Sequence, residues 1–388
     1  MRSSTGCWPL PDHLDTATDG EWKGMARRRP PHPWRDLPCG HDDLFEFVHA
    51  MLRDDGDSLG ETMRASDLAI EVLVARHRLG PLLASRMPGA SWSTGLLPTT
   101  VELIRAARDR QSFVAERCLG LLGIIDAECG MAGLPFLVVK GPAMAVRCYG
   151  DIAARGYWDL DVMVRESDRA AMQSLLERIG AFRLSRTPLG ASLSARFNHA
   201  FDYERDGIKL DLHWCMTRLP GVRCDDEGAF AGAEAIDLAG RGVRVLSFAD
   251  ELHFILVSAF ADIQRGYLRL QTFIDAWELL RRMPSDDWAE FFARRDREGT
   301  GRICRETLRV LLASLRLGKS VPAIVEAIGG CASQEVARQL LLPSPGGVRG
   351  KRWAVSALPV GPARYAAWWC ASLPFRVAAS HPAWRRRC

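Results

Sequence analysis

The fold is decided by residues 157–164, which read Tyr-Trp-Asp-Leu-Asp-Val-Met-Val. This apolar run predicts a buried β-strand, and residues two apart on a strand share one face. Asp159 and Asp161 are therefore expected to project together, while Leu160 and Val162 point into the core. Two adjacent carboxylates repel each other unless a cation lies between them, and a hard divalent cation is the usual one. Such a pair is most often a solvated surface feature, so its meaning depends on its neighbours.

A hairpin further along the chain supplies a third carboxylate. Its arms are predicted at residues 199–205 and 208–214, and they are joined by Asp206-Gly207, a dipeptide that favours the type I′ turn. Asp211 alternates with leucines in the second arm and faces away from them. If this arm pairs beside the strand of Asp159, three carboxylates converge on one or two Mg²⁺ ions. Such ions can clamp triphosphate oxygens and activate an attacking hydroxyl.

Three further segments add candidate nucleotide-binding residues. Lys140-Gly141-Pro142 follows a predicted buried strand and opens a helix, so backbone N–H groups and the Lys140 charge could approach a phosphate. The alternative is a solvent-facing lysine at the end of a strand. Arg155 lies in the loop before Asp159, from which it could reach the triphosphate. His213 shares a face with Asp211, where it either touches the acceptor or a phosphate, or makes a structural hydrogen bond.

Hydrophobic periodicity predicts helices before and after this region, and therefore an α+β fold with a small mixed β-sheet core flanked by N- and C-terminal helical segments. The Pro-rich first residues have no periodicity and are expected to be a disordered lead-in. The predicted organisation is a lead-in, an N-terminal helical segment, the α/β core, a C-terminal helical domain and a basic aromatic tail, at residues 1–40, 41–133, 134–247, 248–342 and 343–388.

Charge is unevenly distributed along the 388 residues. The net charge is +4, but residues 343–388 contain eight basic residues and no acidic one, so the rest of the chain is net negative. Arginine and aromatic side chains in this tail could contact single-stranded nucleic acid or an anionic membrane. The favoured interpretation is that the tail packs its tryptophans on the body and leaves its arginines in water.

The sequence favours a reducing cytoplasm. It has eleven cysteines without a C-x-x-C pair, which is typical neither of a disulfide framework nor of a zinc site. It shows no apolar signal core near its start and no run of about 20 apolar residues. A cytoplasmic protein is therefore expected.

Taken in order, these motifs resemble the DNA-polymerase-β-like nucleotidyltransferase superfamily, and most closely its bacterial group with a Lys-Gly turn. The resemblance covers roughly Leu134 to Arg282. The matching residues are Val138 to Pro142, Tyr149, Arg155, Asp159 to Val164, Asp211 to Trp214, Val245 to Ser247, Glu251-Leu252 and Phe273 to Asp275.

The resemblance implies a metal-dependent enzyme that transfers a nucleoside monophosphate from an NTP to an acceptor hydroxyl or phosphate. Asp159 and Asp161 would match the two metal ligands, and Asp211 would match the third carboxylate, which helps to deprotonate the acceptor. Members of this group are often associated with bacterial gene sets for peptide natural products, so a peptide acceptor is expected.

One position departs from the superfamily pattern. The superfamily usually has Gly-Ser or Gly-Gly at the turn, whereas this chain has Gly141-Pro142, and proline has no N–H to offer a phosphate. This departure leaves more of the phosphate binding to Lys140. It also keeps open an alternative, a catalytically inactive protein of the same fold that binds a peptide or a partner.

Overall fold

The computed structural model describes residues 47–48, 52, 67–75, 77–88, 90–93, 95–184, 198–219, 221–265, 269–284 and 287–333. The predicted lead-in (1–40) and basic tail (343–388) lie outside the described residues. The helices are α1 Asp67–Ala75, α2 Gly80–Arg86, α3 Pro98–Ala132, α4 Gly141–Tyr149, α5 Arg169–Arg178, α6 Asp226–Ala231, α7 Phe248–Arg265, α8 Leu270–Leu280, α9 Trp288–Arg297, α10 Gly301–Ser314 and α11 Pro322–Ala327. The strands are β1 Leu137–Val139, β2 Asp159–Met163, β3 Phe182–Arg183, β4 Ala200–Arg205, β5 Ile208–His213, β6 Glu234–Asp237 and β7 Gly242–Val245.

The described strands form one seven-stranded mixed sheet in the order β3-β4-β5-β2-β1-β7-β6. The strand β2 pairs with β1 in antiparallel and with β5 in parallel fashion, so it lies in the middle of the sheet. The hairpin of β4 and β5 turns at Asp206 and Gly207, whose φ angles of 51° and 74° are both positive, as a type I′ turn requires. The predicted α+β class is confirmed.

Alternation along the strands divides the side chains between two layers. Leu160, Val162, Leu210 and Leu212 pack in the core beneath the long helix α3 and helix α5. The opposite face carries the aspartates of β2 and lies toward α7, whose Phe254 packs with β1 in a smaller cluster. The candidate residues therefore lie on the sheet face that meets the C-terminal helices.

The helical segments on the two sides of the sheet region share one core. Side chains of α1 and α2 pack in the same buried cluster as those of α7, α8 and α10, among them Ile70, Leu83, Phe273 and Leu308. This shared core brings the turn between α1 and α2 against the loop that precedes β2. Among the described residues, no helix has both the length and the apolar composition needed to cross a membrane.

We expect Gly156→Ala to destabilise the protein by about 1–3 kcal/mol. A Cβ atom at Gly156 would lie 2.6 Å from the backbone oxygen of Arg78, which cannot move without shifting the turn between α1 and α2. Gly120→Ala is the matched control, because its Cβ would meet nothing within 4 Å. On the exposed face of α3 it should stabilise the helix by about 0.5–1 kcal/mol. Urea unfolding of both variants measures the difference, and equal effects of the two would contradict the packing at Gly156.

Candidate active site

Three aspartates meet at one cavity because two strands pair in parallel. In the register of β2 and β5, Asp161 lies directly opposite Asp211. Asp159 lies two residues earlier on the same face of β2, and all three line a cavity of about 390 Å³. The side chain of Asp161 is buried, with 6% of the residue exposed, whereas Asp159 and Asp211 are half-buried. The convergence expected from the hairpin therefore exists in the structure.

His213 lies beside the aspartates and touches one of them. Its Nε2 atom is 2.9 Å from Oδ1 of Asp161, and its ring meets that of Phe254 edge-on at 5.2 Å. Ligand atoms of Asp161, Asp211 and His213 all lie within 4.8 Å of one another, close enough to hold a single cation. His213 itself lines the cavity, and its hydrogen-bond partner is the carboxylate of Asp161.

Burial and mutual repulsion dominate the electrostatics of the three carboxyl groups. Burial, followed by the charge of Asp161, raises the pKa of Asp159. The same two causes, together with the charges of Asp159 and Asp202, raise the pKa of Asp211 well above its usual value. Burial alone would also raise the pKa of Asp161, but the charge of Lys140 and the hydrogen bond with His213 outweigh it and lower that pKa. Burial and mutual repulsion thus disfavour a full negative charge on all three carboxyl groups at once.

The turn after β1 adopts an unusual backbone conformation. Lys140 has φ 50° and ψ −134°, a region that non-glycine residues rarely adopt, and Gly141 follows with φ 30°. The Lys140 N–H donates to Oε1 of Glu251 at 2.9 Å, and its Nζ lies 3.9 Å from the ring centroid of Phe254. Lys140 lines the same cavity as the aspartates. Strain of this kind is retained where the surrounding structure fixes it, and here a buried carboxylate does so.

Arg155 also lines the cavity, and Asp275 of α8 holds it there. Its Nε and Nη2 atoms donate to the two oxygens of Asp275 at 2.8–3.1 Å, and the hydroxyl of Tyr149 donates to the same carboxylate at 2.6 Å. The pair is nearly fully buried, with 10% and 2% of the two side chains exposed. The positive charge of Arg155 lies at the cavity, but the negative charge of Asp275 largely balances it.

We expect a pH-dependent contribution to stability from Glu251. Burial raises the pKa of Glu251 to about 7, although the Lys140 N–H and the charges of Lys140, Arg147 and Arg155 act in the opposite direction. Since this pKa is above the unfolded value, the stabilisation is complete below about pH 4.5 and is lost as the pH rises through about 7.

Glu251→Gln removes this titration and keeps the oxygen that accepts from Lys140. Its free energy of unfolding, relative to wild type, should therefore rise between pH 5 and pH 8, by roughly 3 kcal/mol at most. Urea unfolding at several pH values measures the difference between the two proteins. A difference that stays constant over this range would contradict the raised pKa.

The sequence patterns predict no role for several residues that line the cavity. Arg78 comes from the turn between α1 and α2, and Arg269 and Gln271 come from the start of α8. His199, at the start of the hairpin, lies with its ring centroid 5.7 Å from that of His213. No local motif marks these residues, because contacts between segments far apart in sequence bring them to the cavity. The sequence marks only Asp275, as an acidic residue within a mostly apolar helical pattern.

A second cluster of metal-ligand types, Cys224, His253 and Glu298, lies away from the cavity. The guanidinium of Arg295 already occupies it, since its Nη1 contacts Nδ1 of His253 and lies 3.1 Å from Oε2 of Glu298. Burial, followed by the charges of Arg295 and Arg294, holds the pKa of His253 well below its usual value. This cluster is a buried charge network around an arginine.

Comparison with known families gives the class of this protein, the nucleotidyltransferases. Residues 69–315 match the family described as uncharacterised nucleotidyltransferase. The match covers more than half of the chain, so the chain belongs to this family and is a nucleotidyltransferase. Its range includes the aspartates and the helical residues that line the cavity.

Three solved structures are similar to parts of the chain. The solution structure of the antibiotic-resistance factor ANT(2'')-Ia is 15% identical, with 46% of this chain and 91% of that chain covered and a TM-score of 0.34. The crystal structure of ANT(2'')-Ia in complex with adenylyl-2''-tobramycin is 18% identical, covering 46% and 97%, with a TM-score of 0.34. An antigenic nucleotidyltransferase-like protein from Paracoccidioides brasiliensis is 13% identical, covering 57% and 93%, with a TM-score of 0.31. No curated protein matches the chain.

Proposed function

We propose that this nucleotidyltransferase uses Mg²⁺ to move a nucleoside monophosphate from an NTP to an acceptor hydroxyl or phosphate, and that a peptide is the acceptor. The observation that carries the proposal is the register of β2 and β5, which sets Asp161 against Asp211 beside Asp159 in one cavity. Three carboxylates grouped at one cavity make an unfavourable contribution to folding, because each one raises the free-energy cost of charging the others.

The chemistry of the three aspartates suits a divalent cation. Asp159, Asp161 and Asp211 offer hard oxygen atoms, which Mg²⁺ prefers, and a cation would offset the repulsion among them. We assign these three residues to hold the metal. When bound, the cation supplies positive charge that stabilises the phosphate oxygens as the bond to the leaving group breaks. The hydrogen bond from His213 fixes the orientation of Asp161. Residues that hydrogen-bond to a metal-binding side chain commonly orient it in this way.

The transfer itself is a substitution at the α-phosphorus of the NTP. A bond forms between the acceptor oxygen and the α-phosphorus, and the bond from that phosphorus to the bridging oxygen of the β-phosphate breaks. Pyrophosphate leaves with the electron pair of the broken bond. The acceptor proton goes to the carboxylate of Asp211, which faces the cavity. Lys140 and Arg155 line the same cavity and are assigned to the nucleotide phosphates, together with the Gly141 turn.

A cytoplasmic location accords with this proposal. All seven cysteines in the described part of the chain are free thiols, and five of them are buried. Buried free thiols behave as small apolar side chains and are usual where the surroundings are reducing. Mg²⁺ and nucleoside triphosphates would be supplied in the same compartment.

The proposal is tested by measuring pyrophosphate release with each of the four NTPs, with Mg²⁺ or EDTA, and with acceptors grouped by chemistry. These groups are peptides encoded beside the gene, and small molecules that carry hydroxyl or phosphate groups. We expect release that needs both Mg²⁺ and an acceptor, and that is greatest with a peptide. Release with small molecules alone would remove the peptide acceptor. Release unaffected by EDTA would remove the metal.

A further inference from the structure

Three segments far apart in the chain are joined at one wall of the cavity. The backbone N–H of Leu270, at the start of α8, donates to Nδ1 of His77 in the turn between α1 and α2, at 3.1 Å. The side chain of Gln271 donates to the backbone oxygen of Gly156 at 2.7 Å. These bonds tie the N-terminal helices, the loop before β2 and the C-terminal helices together beside the aspartates.

An arginine lies next to each of these bonds. Arg78 follows His77, Arg155 precedes Gly156 and Arg269 precedes Leu270, and all three arginines line the cavity. We call these three residues the arginine junction. Arg78 adopts a left-handed backbone conformation, with φ 60°, and its guanidinium lies 5.9 Å from the ring centroid of Trp158. Asp262 and Asp275 line the cavity as well, so the three arginines share this part of the lining with two acidic residues.

The turn after β1 has few donors to offer a phosphate. The Lys140 N–H is donated to Glu251, and Pro142 has no N–H. The Lys140 ammonium lies over the face of Phe254, where cation–π attraction holds it. Arg155 is balanced by Asp275. A polyphosphate in the cavity therefore needs further positive charge, and Arg78 and Arg269 are the additional cationic side chains among the described lining residues.

We propose that Arg78 and Arg269 bind the β- and γ-phosphates of the NTP, as polyphosphate-binding residues that the helical segments contribute in addition to the turn. The proposal rests on the nucleotidyltransferase function put forward above. The planar fork of a guanidinium donates two parallel hydrogen bonds to phosphate oxygens, and two forks side by side suit neighbouring phosphates. The α-phosphate would then lie toward Asp159, Asp161 and Asp211, which line the same cavity.

The test compares ligands that differ only in their phosphates. Isothermal titration calorimetry of the full chain with Mg²⁺ measures the affinity for each NTP, for the matching NMP and for inorganic tripolyphosphate. We expect Arg78→Gln and Arg269→Gln each to lower the affinity for NTP and tripolyphosphate about tenfold or more, and to leave NMP affinity within about twofold. Arg78→Lys and Arg269→Lys keep the charge but lose the fork, so they should lie between wild type and the Gln variants. Arg105→Gln, on the exposed face of α3, is the control and should bind like wild type.

The possible results distinguish failure of the arginine proposal from failure of the proposed transfer activity. If the wild type binds NTP and both Gln variants bind it equally well, Arg78 and Arg269 do not hold the polyphosphate, whereas nucleotidyl transfer still stands. Equal losses for NTP and NMP would also overturn the proposal, because the arginines would then act on the nucleoside or on folding. Thermal unfolding by circular dichroism identifies a folding defect, and the Lys variants then carry the comparison. If the wild type binds no NTP and transfers no nucleotide, the proposed function itself fails.

Discussion

Asp211→Asn should lower the rate of nucleotidyl transfer by about a thousandfold or more, because it removes one of the charges on which the transfer depends. The substitution keeps the size of the side chain and its place opposite Asp161 on β5. The same variant should be at least as stable as wild type when no divalent cation is present, because it relieves repulsion among the three carboxylates of the cavity. Loss of activity with no loss of stability is the pattern of a residue retained for function.

The matched control lies on the neighbouring strand. Asp202 of β4 is the register partner of Asp211 in the antiparallel hairpin, but it is exposed and does not line the cavity. Asp202→Asn removes the same charge from almost the same place, and we expect transfer to stay within about twofold of wild type, as for most surface substitutions. Initial rates and thermal unfolding, measured with and without Mg²⁺, compare the two variants. Similar activity in Asp202→Asn and Asp211→Asn would contradict the assignment of Asp211.

Asp275→Ala should lower the free energy of unfolding by about 3–5 kcal/mol. The substitution leaves the Arg155 guanidinium buried without its counter-charge, and it removes the acceptor of the Tyr149 hydroxyl. Removing one partner of a buried ion pair costs far more than the pair contributes, because the remaining charge stays away from water. Urea unfolding at constant pH gives the change directly.

An exposed arginine–aspartate pair, in which the arginine also donates to both carboxylate oxygens, serves as the control for this prediction. Arg305 donates to both oxygens of Asp296 at 2.7 and 2.8 Å, but 29% and 52% of these two side chains are exposed. Asp296→Ala should therefore cost only about 0–1 kcal/mol. Comparable losses in the two variants would mean that burial of the Arg155–Asp275 pair contributes little, and would contradict its role as the anchor between the β2 loop and α8.

The sequence predicts those parts of the site that depend on local pattern. Alternation along residues 157–164 places Asp159 and Asp161 on one face, and Asp206-Gly207 predicts the hairpin that carries Asp211. The class of fold follows from the order of helical and strand patterns. These features depend on neighbours in the chain, and the structure has them at nearly the expected residues.

The rest depends on contacts between distant segments, which periodicity does not encode. Nothing local indicates that Arg78 and Arg269 meet at one wall, since the hydrogen bond between His77 and Leu270 joins residues 193 positions apart. The ion pair of Arg155 with Asp275 spans 120 positions, so the sequence predicted a loop arginine near the triphosphate but not the acid that balances it. The positive φ of Lys140 is likewise imposed from outside the turn, by the carboxylate of Glu251.

The central claim is that the α-phosphorus of an NTP becomes bonded to an acceptor at the aspartates of β2 and β5. It is tested most directly with the same NTP labelled either at the α- or at the γ-phosphorus, incubated with Mg²⁺, wild-type protein and acceptor. The account predicts that the acceptor gains the α-label and never the γ-label, that the γ-label leaves as pyrophosphate, and that Asp211→Asn transfers neither. Transfer of the γ-label to the acceptor, or equal labelling by wild type and Asp211→Asn, would contradict it.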